Sequence, residues 1–258
     1  LRDLELRLGT ALIQRSTRRL YLNETGQVFF ERCKLILSDL EDAQQEVSNA
    51  GGSLSGVLRV SAPLSFGLAH MSSAIAQFMH ANPEVRIEMD LSDKRIDLIA
   101  EGFDVAIRIG TLTDSSLIAR RLLILDHVLC CAPAYLESNA PPAAPEELRR
   151  HECVQFTLSG HADEWTFHKA GRSVSVPING RYKVTSSLAV RDALRAGFGV
   201  SLIPRLYVQD DLAFGHLVPL LADWTPMDTT LYAISPSARH VQAKVRAFLD
   251  FLVETLPA

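Results

Sequence analysis

Hydroxyl side chains cluster at two points where a predicted strand is followed by a predicted helix. Ser61 and Ser65 flank Pro63 at the first point, and Thr185 and Ser186 lie at the second. Open parallel sheets bind ligands beyond the carboxyl ends of their strands, where helix N-termini offer free N–H groups and a positive dipole end. The pattern favours binding of a carboxylate or a similar anion, although serine and threonine are also ordinary helix N-caps.

Neighbouring positions supply further candidate contacts for the same ligand. Phe66 follows the first hydroxyl cluster, and Ser92 and Asp93 follow the second predicted strand. Ile107–Gly110 lie at the end of a strand predicted over 104–109. Together these positions predict an effector site along one edge of the sheet.

Motifs for catalysis, metals and cofactors are missing from the sequence. Gly197 and Gly199 run from a helix into a strand, which is the reverse of a dinucleotide fingerprint and predicts a helix C-cap. There is no Gly-x-x-x-x-Gly-Lys-Ser/Thr loop and no Gly-x-Ser-x-Gly elbow. The eight histidines lack metal-ligand spacing, and the four cysteines form no Cys-x-x-Cys pair. We therefore expect no enzyme activity, no metal and no cofactor.

The overall charge limits the partners that the whole chain can bind. A net charge of −4 over 258 residues excludes a uniformly basic nucleic-acid coat. No apolar run reaches the roughly eighteen residues that span a bilayer, and no signal peptide opens the chain. A cytoplasmic protein with reduced thiols and no membrane partner is expected.

Strands and helices alternate through most of the chain. Strands are predicted at 57–61, 85–91, 104–109, 153–157, 164–168, 173–178, 200–204 and 229–234, with two more within 117–131. Helices are predicted at 66–80, 96–99, 146–150, 187–196 and 241–256. This alternation predicts an α/β fold with parallel sheets and helices on both faces.

A long helix is predicted over 25–50, with apolar residues at heptad spacing. The seam consists of Phe29, Cys33, Ile36, Leu40, Ala43 and Val47. A helix packed on its own core would show the same spacing, so both interpretations stay open. The unbroken run of about six turns and the Gly51-Gly52-Ser53 break that follows it favour an exposed dimerising helix.

Two sets of motifs resemble one protein family, the LysR-type transcriptional regulators. The first 26 residues contain Leu4-Glu5-x-x-Leu8-Gly9, then Leu12-Ile13, Arg15-x-x-Arg18 and Thr25-Gly26, in the order of the back half of a winged helix-turn-helix. The rest contains Gly56-x-Leu58-Arg59-Val60, Glu101–Gly110, Asp114-Ser115-Ser116-Leu117 and Gly197-x-Gly199-Val200-x-Leu202-x-Pro204, which resemble the regulatory domain.

The resemblance implies a domain plan. It has a partial winged helix-turn-helix (1–24), a coiled-coil linker helix (25–50), a hinge (51–55) and a two-lobed effector domain similar to type 2 periplasmic binding proteins. Lobe I would comprise 56–128 and 233–258, and lobe II 129–232. The family's first helix and the start of its recognition helix are expected to precede Leu1, so this chain alone should bind DNA poorly.

The resemblance also implies partners and contacts. DNA is the implied partner of the front part, with Arg2, Arg15, Thr17, Arg18 and Arg19 as candidate contacts. A small-molecule effector is implied for the two lobes, and a homodimer or homotetramer for the linker helix. The alternative hypothesis is a stand-alone solute-binding protein or an enzyme on the same fold. The absent signal peptide, the absent catalytic set and the heptad helix all favour the regulator.

Overall fold

The front of the chain forms a helix followed by a small hairpin. The computed structural model describes residues 1–15, 20–30, 32–33, 36–37, 40, 54–94, 97–110, 117–236 and 242–256. Helix α1 (Arg2–Leu8) ends at Gly9, whose positive φ of 67° suits glycine. Strands β1 (Ile13–Arg15) and β2 (Leu20–Leu22) then pair antiparallel. Helix α2 follows and is described at 24–30, 32–33, 36–37 and 40.

Lobe I is built on a five-stranded sheet. Its strands, in spatial order, are β4 (Val85–Leu91), β3 (Gly56–Ala62), β5 (Val105–Ile109), β15 (Thr229–Ser235) and β6 (Ile118–Leu125). Strand β3 is parallel to both β4 and β5, whereas β15 is antiparallel to both β5 and β6. The lobe I sheet is therefore mixed, and the prediction of a fully parallel sheet is wrong for this lobe. The chain leaves lobe I after β6 and returns through β15 in the opposite direction.

Helices cover the lobe I sheet and bury its apolar side chains. They are α3 (Leu64–Phe66), a π-helical turn (Gly67–Met71), α4 (Ser72–Ala81), α5 (Leu98–Glu101) and α9 (Ala243–Thr255). Phe78 and Phe248 meet edge to face with ring centroids 5.2 Å apart, which joins α4 to α9. Both rings belong to the core that the central strands line.

Lobe II contains several small sheets rather than one large sheet. Its central sheet has the order β12 (Val200–Pro204), β7 (His127–Cys131), β13 (Val218–Pro219), and β8 (Val154–Phe156) pairs parallel with β11 (Tyr182–Val184). A third sheet has the order β10 (Arg172–Pro177), β9 (Glu164–Lys169), β14 (Thr225–Pro226). The helices are α6 (Pro133–Leu136), α7 (Ser187–Arg195) and α8 (Gln209–Ala213), with short 3₁₀ helices at Pro145–Arg150 and Arg205–Tyr207. Alternate residues of β7 enter two different apolar cores.

Two crossings join the lobes. The chain passes at Asp126 from β6, in the lobe I sheet, to β7, in lobe II. It returns in β15, all of which pairs with lobe I strands from Thr229 onward. The pairing supports a division a few residues earlier than the sequence-based limits of 128 and 232. Within the described part of the chain, no helix is both long and apolar enough to cross a membrane.

Candidate functional site

An opening between the lobes, called here the outer cavity, has a volume of about 630 Å³, part of it open to solvent. It lies where strands β3, β4 and β8 end, as open α/β sheets favour. Its walls are Pro63, Ser65, Ser92, Asp93, Arg108, Ile109, Gly110, Phe156, Leu158, Ser159, Gly160, Ser187, Tyr207 and Thr229. Both hydroxyl clusters predicted from the sequence contribute to this wall or contact it.

Three serines connect the lobes at the edge of the outer cavity. The backbone N–H of Ser187, at the start of α7, donates to Ser65 Oγ over 2.9 Å. Ser65 Oγ also lies 3.2 Å from Ser186 Oγ. Ser186 is the N-cap of α7, and its Oγ accepts a hydrogen bond from the Ala189 N–H. This end of α7 is therefore already hydrogen-bonded to protein hydroxyls.

The Asp93 carboxylate lies near the start of the other helix, α3. The backbone N–H of Leu64, at the first turn of α3, lies close enough to this carboxylate to lower its pKa. Burial raises the pKa of Asp93 above its ordinary value, while the Leu64 N–H and the nearby Arg108 favour the charged form. The start of α7 has protein hydrogen-bond partners, and anion binding at the two helix starts stays a prediction.

Arg108 brings a half-buried positive charge to the outer cavity. One guanidinium nitrogen donates to the Ile107 carbonyl over 2.7 Å, and another donates to Ser61 Oγ over 3.0 Å. Both acceptors are neutral. In the described ranges no carboxylate forms an ion pair with Arg108, although Asp93, Asp90 and Glu101 lie close enough to favour its charged form. The guanidinium therefore carries a charge that a ligand can neutralise.

Two hydroxyls in the cavity wall are buried without a partner. Tyr207 Oη and Thr229 Oγ1 have no hydrogen-bond partner among the described residues. Tyr207 is 5% exposed, and burial raises the pKa of its hydroxyl, with a further contribution from Asp93. The hydroxyl therefore stays protonated and can donate. Leaving a polar group buried and unpaired costs about 1–3 kcal/mol, so these hydroxyls indicate a ligand site.

The structure divides the predicted effector residues into three groups. Pro63, Ser65, Ser92 and Asp93 line the outer cavity, and Ser186 contacts Ser65. Thr185 is exposed and does not line the cavity.

Three further predicted contacts have fully buried side chains and do not line the outer cavity, so their contact with an effector stays a prediction. Phe66 and Ile107 belong to the lobe I core. Ile107 points away from the cavity because neighbours in a strand face opposite sides, which turns Arg108 toward it. Ser61 is also fully buried and acts on the site only by accepting the hydrogen bond from Arg108.

Several cavity residues were missed by the sequence interpretation. Arg108 is not among them, because it lies within the predicted range Ile107–Gly110 and is the one charged residue in the apolar strand Val105–Ile109. Tyr207 and Thr229 gave no such signal, because they lie in lobe II and in the return strand, far along the chain from the first cluster. Their position depends on how the lobes meet.

A second opening of about 470 Å³, part of it open to solvent, is lined mainly by lobe II residues and is called here the inner cavity. Its walls are Ile109, His127, Phe156, Ser159, His161, Trp165, Ser187, Val190, Leu202, Ile203, Pro204 and Thr229. The rings of His127 and His161 meet edge to face at 5.2 Å. Within the described ranges, no three His, Cys, Asp or Glu side chains form a group that could hold a metal.

The predicted DNA and dimer residues lie in the front part. Arg2 is exposed on α1, and Arg15 is the last residue of β1. Thr17, Arg18, Arg19, Ala43 and Val47 lie outside the described residues. On α2, Phe29 and Cys33 are partly exposed, whereas the side chains of Ile36 and Leu40 are 65% and 54% exposed.

Comparison with known proteins identifies the family. The profile described as LysR substrate binding domain matches residues 51–257. This chain belongs to the LysR-type transcriptional regulators. It is 36% identical over 256 residues to the HTH-type transcriptional regulator PtxR of Pseudomonas aeruginosa, covering 99% of this chain and 82% of that protein. It is 33% identical over 254 residues to CrgA of Neisseria meningitidis, covering 98% of this chain and 85% of CrgA.

Solved LysR-type structures share the fold. The full-length Vibrio cholerae virulence activator AphB matches with a TM-score of 0.69 and 30% identity, covering 98% of this chain and 87% of that one. CrgA of Neisseria meningitidis matches with a TM-score of 0.72 and 32% identity, covering 100% of this chain and 88% of that one. The two-lobed α/β regulatory domain predicted from the sequence is thereby confirmed.

Proposed function

We propose that this LysR-type regulator senses a small carboxylate in the outer cavity and changes its binding to DNA in response. The observation that carries the proposal is the convergence of three donors without an anionic partner. They are the Arg108 guanidinium and the hydroxyls of Tyr207 and Thr229. A carboxylate offers two oxygens for several hydrogen bonds and neutralises one charge.

The contacts of Asp93 favour an anion over a cation. The Leu64 N–H at the start of α3 and the Arg108 guanidinium both favour the charged form of its carboxylate. A cationic ligand would have to approach Arg108, whose charge has no direct counter-ion among the described residues. An anion at Arg108 gains a charge-assisted hydrogen bond instead.

The response would come from the relative position of the lobes. A ligand that contacts Arg108 in lobe I and Tyr207 in lobe II stabilises one arrangement of the lobes over others. In a dimer formed through α2, that change would alter the spacing of two DNA-binding units. Arg2, Arg15, Thr17, Arg18 and Arg19 are the proposed phosphate contacts of each unit.

Thermal-shift screening with carboxylates tests the proposal. A carboxylate at 100 times its Kd should stabilise the protein by about 2.7 kcal/mol. Arg108→Gln should remove that shift because it removes the charge while keeping a polar side chain. Arg120→Gln is the matched control, since Arg120 pairs with Asp250 on the surface. Equal carboxylate binding by the Arg108 variant and the wild type would overturn the proposal.

A further inference from the structure

A short helix of lobe II packs directly on lobe I. The 3₁₀ helix Arg205–Tyr207 follows β12, and its Leu206 side chain contacts both the lobe I core and a lobe II core. The Tyr207 ring lies 6.0 Å from the His70 ring of lobe I, measured between ring centroids. This pair of rings, called here the ring contact, joins the lobes in addition to the serine contacts at the edge of the outer cavity.

His70 approaches lobe II from the π-helical turn Gly67–Met71, a kind of turn that is frequent at functional sites. Its imidazole contacts two aromatic rings, that of Phe66 at 5.5 Å and that of Tyr207 at 6.0 Å. Its Nε2 atom is buried and has no hydrogen-bond partner among the described residues. The ring contact therefore holds an imidazole against apolar surface with one nitrogen unpaired.

These surroundings disfavour the charged form of His70. A protonated imidazole would place a positive charge between aromatic rings, with an Nε2–H that is buried and has no acceptor in the described part of the chain. Burial accordingly lowers the pKa of His70 below 6.5. Tyr207 is the titratable group that faces His70 from lobe II, and burial keeps its hydroxyl protonated.

The charged groups around Tyr207 do not compensate a charge on this imidazole. Asp93, which follows β4, contributes to the raised pKa of the Tyr207 hydroxyl. Arg205, on the same 3₁₀ helix, donates to Asp126 over 2.8 Å. In the described ranges none of these groups contributes to the lowered pKa of the imidazole, whose cause is burial. A proton taken up here would therefore have no described counter-ion.

Separation of the lobes would remove this cost. Once Tyr207 moves away, water reaches Nε2 of His70, and the charged form becomes as favourable as in an exposed histidine. Below a pH of about 6.5, the separated arrangement then binds a proton that the joined arrangement does not bind. Protonation therefore shifts the equilibrium toward separated lobes.

We propose that the ring contact between His70 and Tyr207 is a proton-sensitive switch, which joins the lobes while the imidazole is neutral and separates them when it is protonated. The switch goes beyond the proposed function, because it needs neither a ligand nor Arg108. Acidification would change the relative position of the lobes in the ligand-free regulator.

Trp165 reports on the separation of the lobes. The chain has two tryptophans, Trp165 and Trp224, and Trp165 lines the inner cavity together with Ile109 and Thr229 of lobe I. In a Trp224→Phe variant of the full chain, quenching of the remaining tryptophan by acrylamide measures how far lobe I covers it. Acrylamide is uncharged, so its access does not depend on the charge of the protein.

Acrylamide should quench Trp165 more strongly at about pH 5.5 than at about pH 7.5, because the ratio of separated to joined molecules rises by up to about tenfold per pH unit below 6.5. His70→Phe and His70→Gln cannot be protonated, so both should abolish the pH response. His80→Phe, at an exposed position of α4, is the matched control and should retain it. Quenching that is independent of pH without any change at His70 would overturn the proposal, and so would a response that persists in both His70 variants.

Two variants of Tyr207 test whether the ring contact is responsible. Tyr207→Ala leaves His70 uncovered in both arrangements and should abolish the pH response, whereas Tyr207→Phe keeps the ring and should retain it. A response that persists in Tyr207→Ala would overturn the proposal. So would its loss in His161→Phe but not in the His70 variants, because His161 lines the inner cavity and burial lowers its pKa as well. The carboxylate site fails separately, since these measurements contain no ligand.

Discussion

Ser65 and Ser187 are joined across the two lobes by a hydrogen bond of 2.9 Å, from the Ser187 backbone N–H to Ser65 Oγ. Both residues are buried, and they lie 122 positions apart in the chain. The N–H belongs to the first turn of α7, which has no earlier carbonyl partner within its own helix. The Ser65 hydroxyl of lobe I thus accepts the hydrogen bond of a backbone N–H at the start of α7 in lobe II.

Ser65→Ala should destabilise the protein without ligand. The Ser187 N–H would lose its acceptor while staying buried, at a cost of about 1–3 kcal/mol. Thermal or urea unfolding measures the change. Ser73→Ala, at an exposed position of α4, is the matched control and should have little effect. If both variants unfold alike, the contact between the lobes contributes nothing to stability.

Tyr207→Phe should have the opposite effect on the ligand-free protein. The substitution removes a buried hydroxyl that has no partner in the described part of the chain, so the free energy of unfolding should stay equal or rise. Binding of a carboxylate should weaken by about tenfold, since one donor is lost. Calorimetric titration and thermal unfolding measure the two effects.

Tyr135→Phe is the control for the tyrosine prediction. Tyr135 Oη lies 3.1 Å from His151 Nδ1 and accepts the Glu152 N–H. This variant should therefore lose about 1 kcal/mol of stability and keep its carboxylate affinity. Loss of stability in the Tyr207 variant as well would show that its hydroxyl has a partner after all.

Local patterns in the sequence predicted most of the elements but not the contacts between the lobes. Strands β4 and β12 have the predicted limits, and Gly197, with a φ of 74°, ends α7 as expected. The strand at 229–234 was predicted, but the antiparallel direction of β15 was not, because strand direction depends on the path of the chain through lobe II. The roles of Ser65 and Asp93 as partners of helix starts are also contacts between distant segments.

Gly180 should not tolerate a side chain. A Cβ atom at this position would lie 1.7 Å from the Cys153 carbonyl oxygen, which is backbone and cannot turn away. Gly180→Ala should therefore destabilise lobe II by about 1–3 kcal/mol or more. Gly160→Ala is the control, because a Cβ atom there meets nothing within 4 Å. Equal melting temperatures for the two variants would contradict this packing.

The exposed apolar side chains of α2 predict self-association. Leu40 and Ile36 are more than half exposed in the single chain, which is unfavourable unless a second copy covers them. Leu40→Asp should shift sedimentation toward the monomer, while Arg32→Ala, at an exposed position on the same helix, should not. A wild-type protein that sediments as a monomer at micromolar concentration would refute the dimerising role of α2.

His127 should make stability depend on pH. Burial holds the pKa of its side chain at about 4 in the folded protein, compared with 6.5 in the unfolded chain. As the pH falls below 6.5, the unfolded chain binds a proton that the folded protein does not, so stability is lost until about pH 4. The full difference corresponds to about 3 kcal/mol.

His127→Phe should flatten this dependence relative to the wild type, because the variant has no group at that position to protonate. Denaturant unfolding at several pH values between 4 and 7 measures the slope. Burial also lowers the pKa values of His161 and His70. The stability of the His127→Phe variant should therefore still depend on pH, with a smaller slope than that of the wild type. His168→Phe, at an exposed position, should keep the full slope. An identical slope in the His127 variant would mean that this imidazole is protonated as easily in the folded protein as in the unfolded chain.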